Sequence, residues 1–325
     1  MIKKIFLISS CIFLFSCEKD EIAIPVKERD NLIVREIALE SDYRYQVFYK
    51  LNGDKVVSQN LNTVWDLGFE SSQDGWRIIL NSSLGGAVAH SNTDSFEQEP
   101  ILSQLEWMWD RPSGDLDSTA IGDYRGQKNI YVLDRGFSYT NTSDRYKKFI
   151  IDSITSTFYK IRYASLDNSS QQQAIIYKDA SVNFNAYSIS SNSSLIIEPN
   201  KTEWDLVFTR YIRLYSDPSL PPSYLVTGVL SNYLNNIQVA IDTINDFQDI
   251  DISFDSNGNT NYFFNNNRDA IGYNWKIFNG TDYTIRTNNT YIIKDSFSRY
   301  YKLRFIDFYN SLGEKGFPTF EVQEL

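Results

Sequence analysis

The chain has 325 residues, a formal net charge of −10 and an aromatic content of 15%. So acidic a chain is a poor candidate for binding nucleic acid or anionic lipid surfaces, because contacts to phosphate need concentrated lysine and arginine. The length favours two domains over one. Frequent Tyr, Phe, Ile and Val residues, separated by short Asn, Ser, Asp and Gly stretches, favour strands over helices.

Residues 1–17 have the features of a bacterial lipoprotein signal peptide. A basic start is followed by the apolar run Ile5 to Phe15, which is too short to span a bilayer but suits a signal-peptide core. The run ends in Ser16-Cys17, which resembles a lipobox, so we expect Cys17 to become the lipidated first residue of the mature chain. The alternative is an ordinary secretory signal in which Cys17 is incidental.

Residues 18–30 are predicted to form a flexible tether. The charged stretch Glu18 to Glu21 is similar to the acidic export signals of Bacteroidetes surface lipoproteins, which predicts a lipid-anchored protein on the outer face of the outer membrane. The chain has two cysteines, Cys11 and Cys17. One is lost with the signal peptide and the other is acylated, so the mature protein is expected to have no disulfide and no thiol nucleophile.

Strand-like alternation begins after the tether. Ile33 to Leu39 and Tyr43 to Leu51 are predicted strands, and Asn52-Gly53-Asp54 is a hairpin signal. In the predicted strand from Trp65 to Phe69, alternation places Trp65, Leu67 and Phe69 on one face.

Residues 91–128 form the least regular part of the first half. They contain Trp107, Met108 and Trp109, which we consider the best candidates for ligand contact, because a Trp-x-Trp loop presents flat apolar surfaces to a porphyrin, a sugar ring or a protein groove. The alternative is that one of these tryptophans closes the open end of a β-sandwich.

A long internal repeat organises the whole sequence. Ser41 to Phe69 aligns without a gap on Ala180 to Phe208, placing Phe48 on Tyr187 and Trp65-Asp66 on Trp204-Asp205. A second similarity places Phe158 to Tyr163 on Tyr300 to Phe305. A repeat of this length indicates a duplicated domain rather than a solenoid or a propeller blade. We therefore predict an all-β protein with two similar antiparallel β-sandwich-like domains in tandem, at 31–170 and 171–325.

The order of these motifs resembles the HmuY-type haem-binding lipoproteins of Bacteroidetes. The resemblance rests on the lipobox and charged tether, the Trp-Asp strand, the strand Gly85 to Val88, and the closing run from Tyr291 to Tyr309. It implies an all-β fold, delivery of haem to a TonB-dependent outer-membrane receptor, and iron held between two side-chain ligands from loops.

The candidate haem ligands depart from that family pattern. His90 is the only histidine of the chain, so two histidines of this chain cannot hold the iron. Met108 is the one methionine left after signal removal, and haem iron accepts both His and Met. A pair of His90 and Met108 is therefore conceivable; the alternatives are ordinary packing at both positions, haem held by aromatic stacking alone, or a site that has been lost or redirected.

Enzymatic function is not predicted. A Ser-His-Asp arrangement could use only His90 as its base, and zinc sites normally need several His or Cys ligands, so no structural metal is expected. Asp66 and Asp205 are interpreted as structural acids that pair with Lys or Arg. We expect a non-enzymatic surface lipoprotein that binds haem or assists iron acquisition; the alternatives are a carbohydrate- or protein-binding lipoprotein without haem ligation, and a structural scaffold.

Overall fold

The computed structural model describes residues 32–325. The predicted signal peptide, the tether and Cys17 lie outside the described residues. Within them, the strands numbered along the chain are β1 Ile33–Glu36, β2 Tyr45–Lys50, β3 Lys55–Leu61, β4 Leu67–Glu70, β5 Ile78–Leu80, β6 Ala87–His90, β7 Tyr131–Asp134, β8 Tyr146–Ile154, β9 Phe158–Ser165, β10 Gln172–Tyr177, β11 Phe184–Ser188, β12 Ser193–Leu195, β13 Leu206–Leu214, β14 Ser223–Ser231, β15 Gln238–Asp242, β16 Lys276–Phe278, β17 Tyr283–Ile285, β18 Thr290–Lys294, β19 Tyr300–Tyr309 and β20 Lys315–Glu324.

Helical structure is confined to short turns. The α-helix α1 spans Thr142–Arg145, and 3₁₀ turns span Ser82–Leu84, Leu102–Gln104, Leu116–Ser118 and Tyr233–Asn235. The predicted all-β class is therefore confirmed. No helix between residues 32 and 325 has the length and apolar character needed to cross a bilayer.

The first sandwich packs the sheet β10-β9-β8-β7-β6 against the sheet β12-β11-β4-β5. Side chains that alternate inward from both sheets fill its core, and the fully buried members include Phe69, Tyr131, Phe149, Tyr159 and Tyr187. The large apolar area of these aromatic rings contributes strongly to stability, and residues 32–325 contain no cysteine.

The second sandwich packs the sheet β1-β20-β19-β18-β15 against the sheet β14-β13-β2-β3. Its core includes Tyr49, Phe208, Trp275, Phe305 and Phe320. The ring of Trp275 stacks on Phe305 with centroids 4.0 Å apart. The hairpin β16-β17 lies beside this sandwich.

Each sandwich takes strands from both predicted halves of the chain. β1 pairs with β20 and β2 with β13 in the second sandwich, whereas β10 pairs with β9 and β11 with β4 in the first. The predicted boundary at 170/171 thus falls inside the β9-β10 hairpin and does not separate the two folded units. The physical reason is the short connection after β9, because strands joined by a few residues pair as neighbours.

The two sandwiches have matching strand order and register. Tyr131 pairs with Phe149 where Tyr291 pairs with Leu303, and Val132 pairs with Lys148 where Ile292 pairs with Lys302. We call residues at matching places counterparts. Both buried lysines donate to backbone carbonyls, Lys148 to Gln98 O at 2.9 Å and Lys302 to Phe247 O at 2.8 Å. This correspondence supports the predicted tandem duplication, which stays a prediction.

The structure corrects the predicted alignment in two places. Asp66 N donates to Tyr187 O and Asp205 N donates to Tyr49 O, so the counterpart of Tyr187 is Tyr49 and not Phe48. The sheet order also makes β8, not β9, the counterpart of β19. Neighbouring strands of one sheet have similar patterns of alternation. The sequence similarity therefore aligned β9 with β19, although the strand at the matching place is β8.

Candidate functional sites

Each sandwich takes some strands from the other half of the chain, and we call these the exchanged strands. The repeated Trp-Asp motif holds them in place. Asp66 accepts hydrogen bonds from Arg135 Nε (2.7 Å), Arg135 Nη2 (3.0 Å) and Ile189 N (2.7 Å). Its counterpart Asp205 accepts from Lys50 Nζ (2.7 Å) and from Leu51 N (2.9 Å). Each aspartate therefore holds the backbone of a strand segment that comes from the other half of the chain. The predicted structural pairing of these acids with Arg or Lys is confirmed.

The two motif tryptophans lie between the sandwiches. Trp65 and Trp204 belong to one buried cluster with Phe48, Val207 and Leu230. The prediction that Trp65 shares a face with Leu67 and Phe69 is wrong, because β4 begins only at Leu67 and strand alternation does not extend back to residue 65.

Trp107, Met108 and Trp109 lie on an extended segment beside β6. Met108 N donates to Val88 O at 2.8 Å and Val88 N donates to Met108 O at 3.0 Å, and the Met108 side chain packs against the first core. Residues on either side of Met108 therefore face the outer side of the sheet, where the ring of Trp107 lies 5.7 Å from that of Tyr146.

The second sandwich repeats this arrangement. Val239 bridges to Asn265 where Val88 bridges to Met108, and the ring of Phe264 lies 5.8 Å from that of Tyr300. An aromatic contact at the same place in both sandwiches indicates that Trp107 covers the outer face of the sheet. Met108 and Trp109 correspond to Asn265 and Asn266, so neither of their side chains is required by the fold.

His90 is exposed at the end of β6, with its ring 5.1 Å from that of its cross-strand partner Tyr131. Over residues 32–325, no hydrogen bond or ion pair engages its imidazole. Met108 pairs with Val88, two residues before His90 on the same strand face, so the structure brings the two predicted ligand residues onto neighbouring strands. The counterpart of His90 is Ile241. The described residues contain no group of three or more His, Cys, Asp or Glu that could hold a metal ion.

A partly open cavity of about 90 Å³ lies between the sandwiches, lined by Trp65, Trp204, Glu198 and Asp110 among others. An apolar cavity that takes up benzene measures about 150 Å³, so this one is too small for a porphyrin.

Two partly buried acids face that cavity. Glu198 accepts from Asn183 Nδ2 (2.6 Å), Phe184 N (3.1 Å) and Trp204 Nε1 (3.2 Å), and burial raises its pKa to about 7. Asp110 accepts from Leu80 N (2.7 Å) and Ala120 N (2.8 Å), and burial raises its pKa to about 6. Neither acid could be identified from the sequence, because neither belongs to a repeated motif and the cavity forms only where the two sandwiches meet.

Two larger open clefts lie on the first sandwich. The Arg125 cleft measures about 540 Å³ and is lined by Tyr124 to Lys128, Ile150 to Ile154 and Arg162. The Lys147 cleft measures about 400 Å³ and is lined by Arg135, Asp144, Lys147, Tyr163, Ser165, Ser190 and Asn192 among others. Both fall within the roughly 300–1,000 Å³ typical of small-molecule sites.

Comparison with known proteins gives one family. Residues 181–322 match the family model described as HmuY protein. This part of the chain is therefore similar to the HmuY family. The match begins before β11 and ends in β20, so it follows the repeat along the sequence and includes strands of both sandwiches. The HmuY resemblance found in the sequence is thereby confirmed.

Three solved structures are similar to the chain. Apo PinO from Porphyromonas gingivitis is 9% identical, with 91% of this chain and 98% of that chain covered and a TM-score of 0.29. An HmuY-like haem-binding protein from Bacteroides vulgatus is 16% identical, covering 54% and 90%, with a TM-score of 0.24. A lipoprotein from Bacteroides fragilis is 14% identical, covering 57% and 90%, with a TM-score of 0.23. No curated protein matches the chain.

Proposed function

We propose that this protein is a non-enzymatic, lipid-anchored surface protein of the HmuY type that binds haem and passes it to a TonB-dependent outer-membrane receptor. The observation that carries the proposal is the HmuY match over residues 181–322. The lipobox-like Ser16-Cys17 and the charged residues after it support the anchor and the location on the cell exterior.

His90 is the proposed side-chain ligand of the iron. Its imidazole is exposed and is not engaged by the described protein groups, so either ring nitrogen is available to a metal. Met108 is packed against the core and would have to leave that contact to complete a His/Met pair. Trp109 is the adjacent aromatic residue whose side chain the fold does not require.

The Arg125 cleft offers the space for the porphyrin. It lies at the end of the first sandwich where β6 ends at His90, β7 begins at Tyr131 and β8 ends at Ile154. Ile150, Ile151 and Ile154 give it apolar surface. Its cationic groups are Lys128, Arg125, which pairs with Asp123, and Arg162, which pairs with the lining residue Asp152. A flat apolar ring that carries carboxylates is complementary to such a lining.

Haemin titration of the mature protein tests this proposal. We expect a shift of the Soret band on binding, and we expect His90→Ala to change that spectrum because the iron loses its imidazole ligand. The matched control is Ile241→Ala, which alters the exposed counterpart of His90 in the second sandwich and should leave the spectrum unchanged. No Soret shift in the wild type would exclude haem binding, and an unaltered spectrum in His90→Ala would exclude ligation by this residue.

The second candidate function is a surface protein that binds a carbohydrate or a protein without haem. The observation that favours it is the Lys147 cleft, whose lining combines an ammonium group, hydroxyls and an amide and does not include His90 or Met108.

A further inference from the structure

We propose that the Lys147 cleft binds a small hydroxyl-rich carboxylate of the sugar-acid class. The proposal is independent of haem binding, because the cleft shares none of its walls with the Arg125 cleft or with His90. Its walls come from both halves of the chain: Lys147 and Ser165 lie on β8 and β9, whereas Ser190 and Asn192 follow the exchanged strand β11.

Lys147 provides an ammonium group with unused donor capacity. Its Nζ donates to Ser165 Oγ at 3.0 Å, and it forms no salt bridge within residues 32–325. Burial lowers its pKa and the positive charge of Arg135 lowers it further, whereas the charges of Asp144, Asp167 and Asp66 act in the opposite direction without forming a salt bridge to it. An ammonium group that has lost part of its hydration without gaining a carboxylate partner is stabilised by an anionic ligand.

The opposite wall adds neutral donors. Asn192 Oδ1 accepts from Tyr187 Oη (2.6 Å) and Tyr163 Oη (2.8 Å), which fixes the amide and leaves its Nδ2 without a partner among the described residues. Ser190 Oγ accepts from Arg135 Nη2 at 2.6 Å, and the Ser190 side chain is also hydrogen-bonded to Tyr139. The arrangement therefore presents donors from two sides of the cleft.

The counterpart region of the second sandwich is closed by its own side chains. Lys147 corresponds to Tyr301, which is 3% exposed. Asn192 corresponds to Asp54, which accepts from Tyr49 Oη at 2.7 Å in the same way. Arg35 Nε donates to Asp54 Oδ1 at 2.9 Å, and the counterpart of Arg35 is Ala174. The fold does not need an open polar cleft here, so the open form belongs to the first sandwich alone.

The lining determines the class of ligand. The ammonium and the amide suit a carboxylate, and the hydroxyls of Ser165 and Ser190 suit a ligand with several oxygens. Asp144 on the rim can accept from ligand hydroxyls. The lining also includes Tyr163, Ala164 and Ile189, whose apolar surface can contact the carbon skeleton of such a ligand.

Isothermal titration of the mature protein with glucuronate, glucose and acetate tests the proposal. We expect saturable binding of glucuronate, and much weaker binding of glucose, which lacks the charge, and of acetate, which lacks the hydroxyls. Absence of glucuronate binding overturns the proposal. Equal affinity for glucose and glucuronate would overturn the role of the ammonium group.

Two variants use residues that the second sandwich already accommodates. Lys147→Tyr introduces the residue found at Tyr301 and should weaken glucuronate binding roughly 10- to 100-fold, the range expected when a hydrogen bond to a charged group is lost. Asn192→Asp introduces the residue found at Asp54, keeps the tyrosine hydrogen bonds, and should weaken glucuronate binding by charge repulsion. The control Lys160→Tyr lies on the other face of β9 and should bind as the wild type does. Unchanged affinity in both cleft variants would contradict the proposal.

Discussion

At the scale of single residues, comparison of counterparts separates structural side chains from functional candidates. Asp66 and Asp205, Lys148 and Lys302, and the rings of Trp107 and Phe264 occupy matching places, so the fold explains them. His90, Trp109 and Lys147 have no chemical equivalent in the second sandwich. These three residues are the ones on which the two ligand proposals depend.

Lys276 is a buried charge that should make stability depend on pH. It is 7% exposed, donates to Thr227 O, and lies 4.2 Å from the Trp275 ring centroid and 4.7 Å from that of Phe308. Burial lowers its pKa to about 7, whereas an unfolded lysine titrates near 10.4. Between these values the unfolded state binds more protons, so stability should rise with pH, by at most about 1.4 kcal/mol per pH unit.

We expect Lys276→Met to remove this dependence and to stabilise the protein at neutral pH. Urea unfolding at pH 7.5 and 9.5 measures the difference, with the partly exposed Lys294→Met as control. A wild-type slope that persists in Lys276→Met would show that another group titrates.

The sequence predicted the roles of several residues but not their partners. The motif acids were expected to pair with a cation, and they do. Nothing in the local sequence identifies Arg135 or Lys50 as that cation, because both lie far along the chain from the acid they contact. The Lys147 cleft and the acids Glu198 and Asp110 could not be predicted for the same reason, since their surroundings form only when distant strands meet.

At the scale of elements, each Trp-Asp strand fixes a strand segment of the other half. Alternation and turn residues predicted most strands correctly. They could not predict the exchange, because counterpart strands have similar patterns and either partner satisfies the same alternation. The short connection between β9 and β10 is the feature that favours the pairing of β10 with β9, across the predicted domain boundary.

Asp66→Ala should therefore destabilise the first sandwich strongly. The substitution leaves the guanidinium of Arg135, a residue 5% exposed, without its carboxylate and frees the backbone N–H of Ile189. Breaking a buried ion pair in this way costs about 3–5 kcal/mol.

The matched control is Asp152→Ala, which removes the more exposed pair with Arg162 (3.1 Å) and should cost about 0–1 kcal/mol. Urea unfolding monitored by tryptophan fluorescence compares the two. Equal losses of stability would contradict a role for Asp66 in holding the exchanged segment.

At the scale of the whole molecule, the boundaries of the sequence repeats differ from the boundaries of the two folded sandwiches. The HmuY match follows the repeat, whereas each core contains strands from both halves. The small cavity and the Lys147 cleft lie where residues from the two halves meet.

The central claim is that β1 completes the second sandwich. Val34 lies opposite Glu321 on β20, and residues opposite one another in antiparallel strands are close enough for a disulfide. If each half of the chain folded on itself, β1 would pair with β9. Val34 would then lie opposite Arg162, the counterpart of Glu321. The mature chain offers no other free thiol if Cys17 is acylated, so engineered cysteines give a clean result.

The deciding measurement is disulfide formation in two double variants, followed by gel mobility and mass spectrometry after mild oxidation. The exchanged fold predicts an intramolecular disulfide in Val34→Cys/Glu321→Cys and none in Val34→Cys/Arg162→Cys. The opposite result would show that each half folds on itself, and would contradict the strand exchange on which the Lys147 cleft depends.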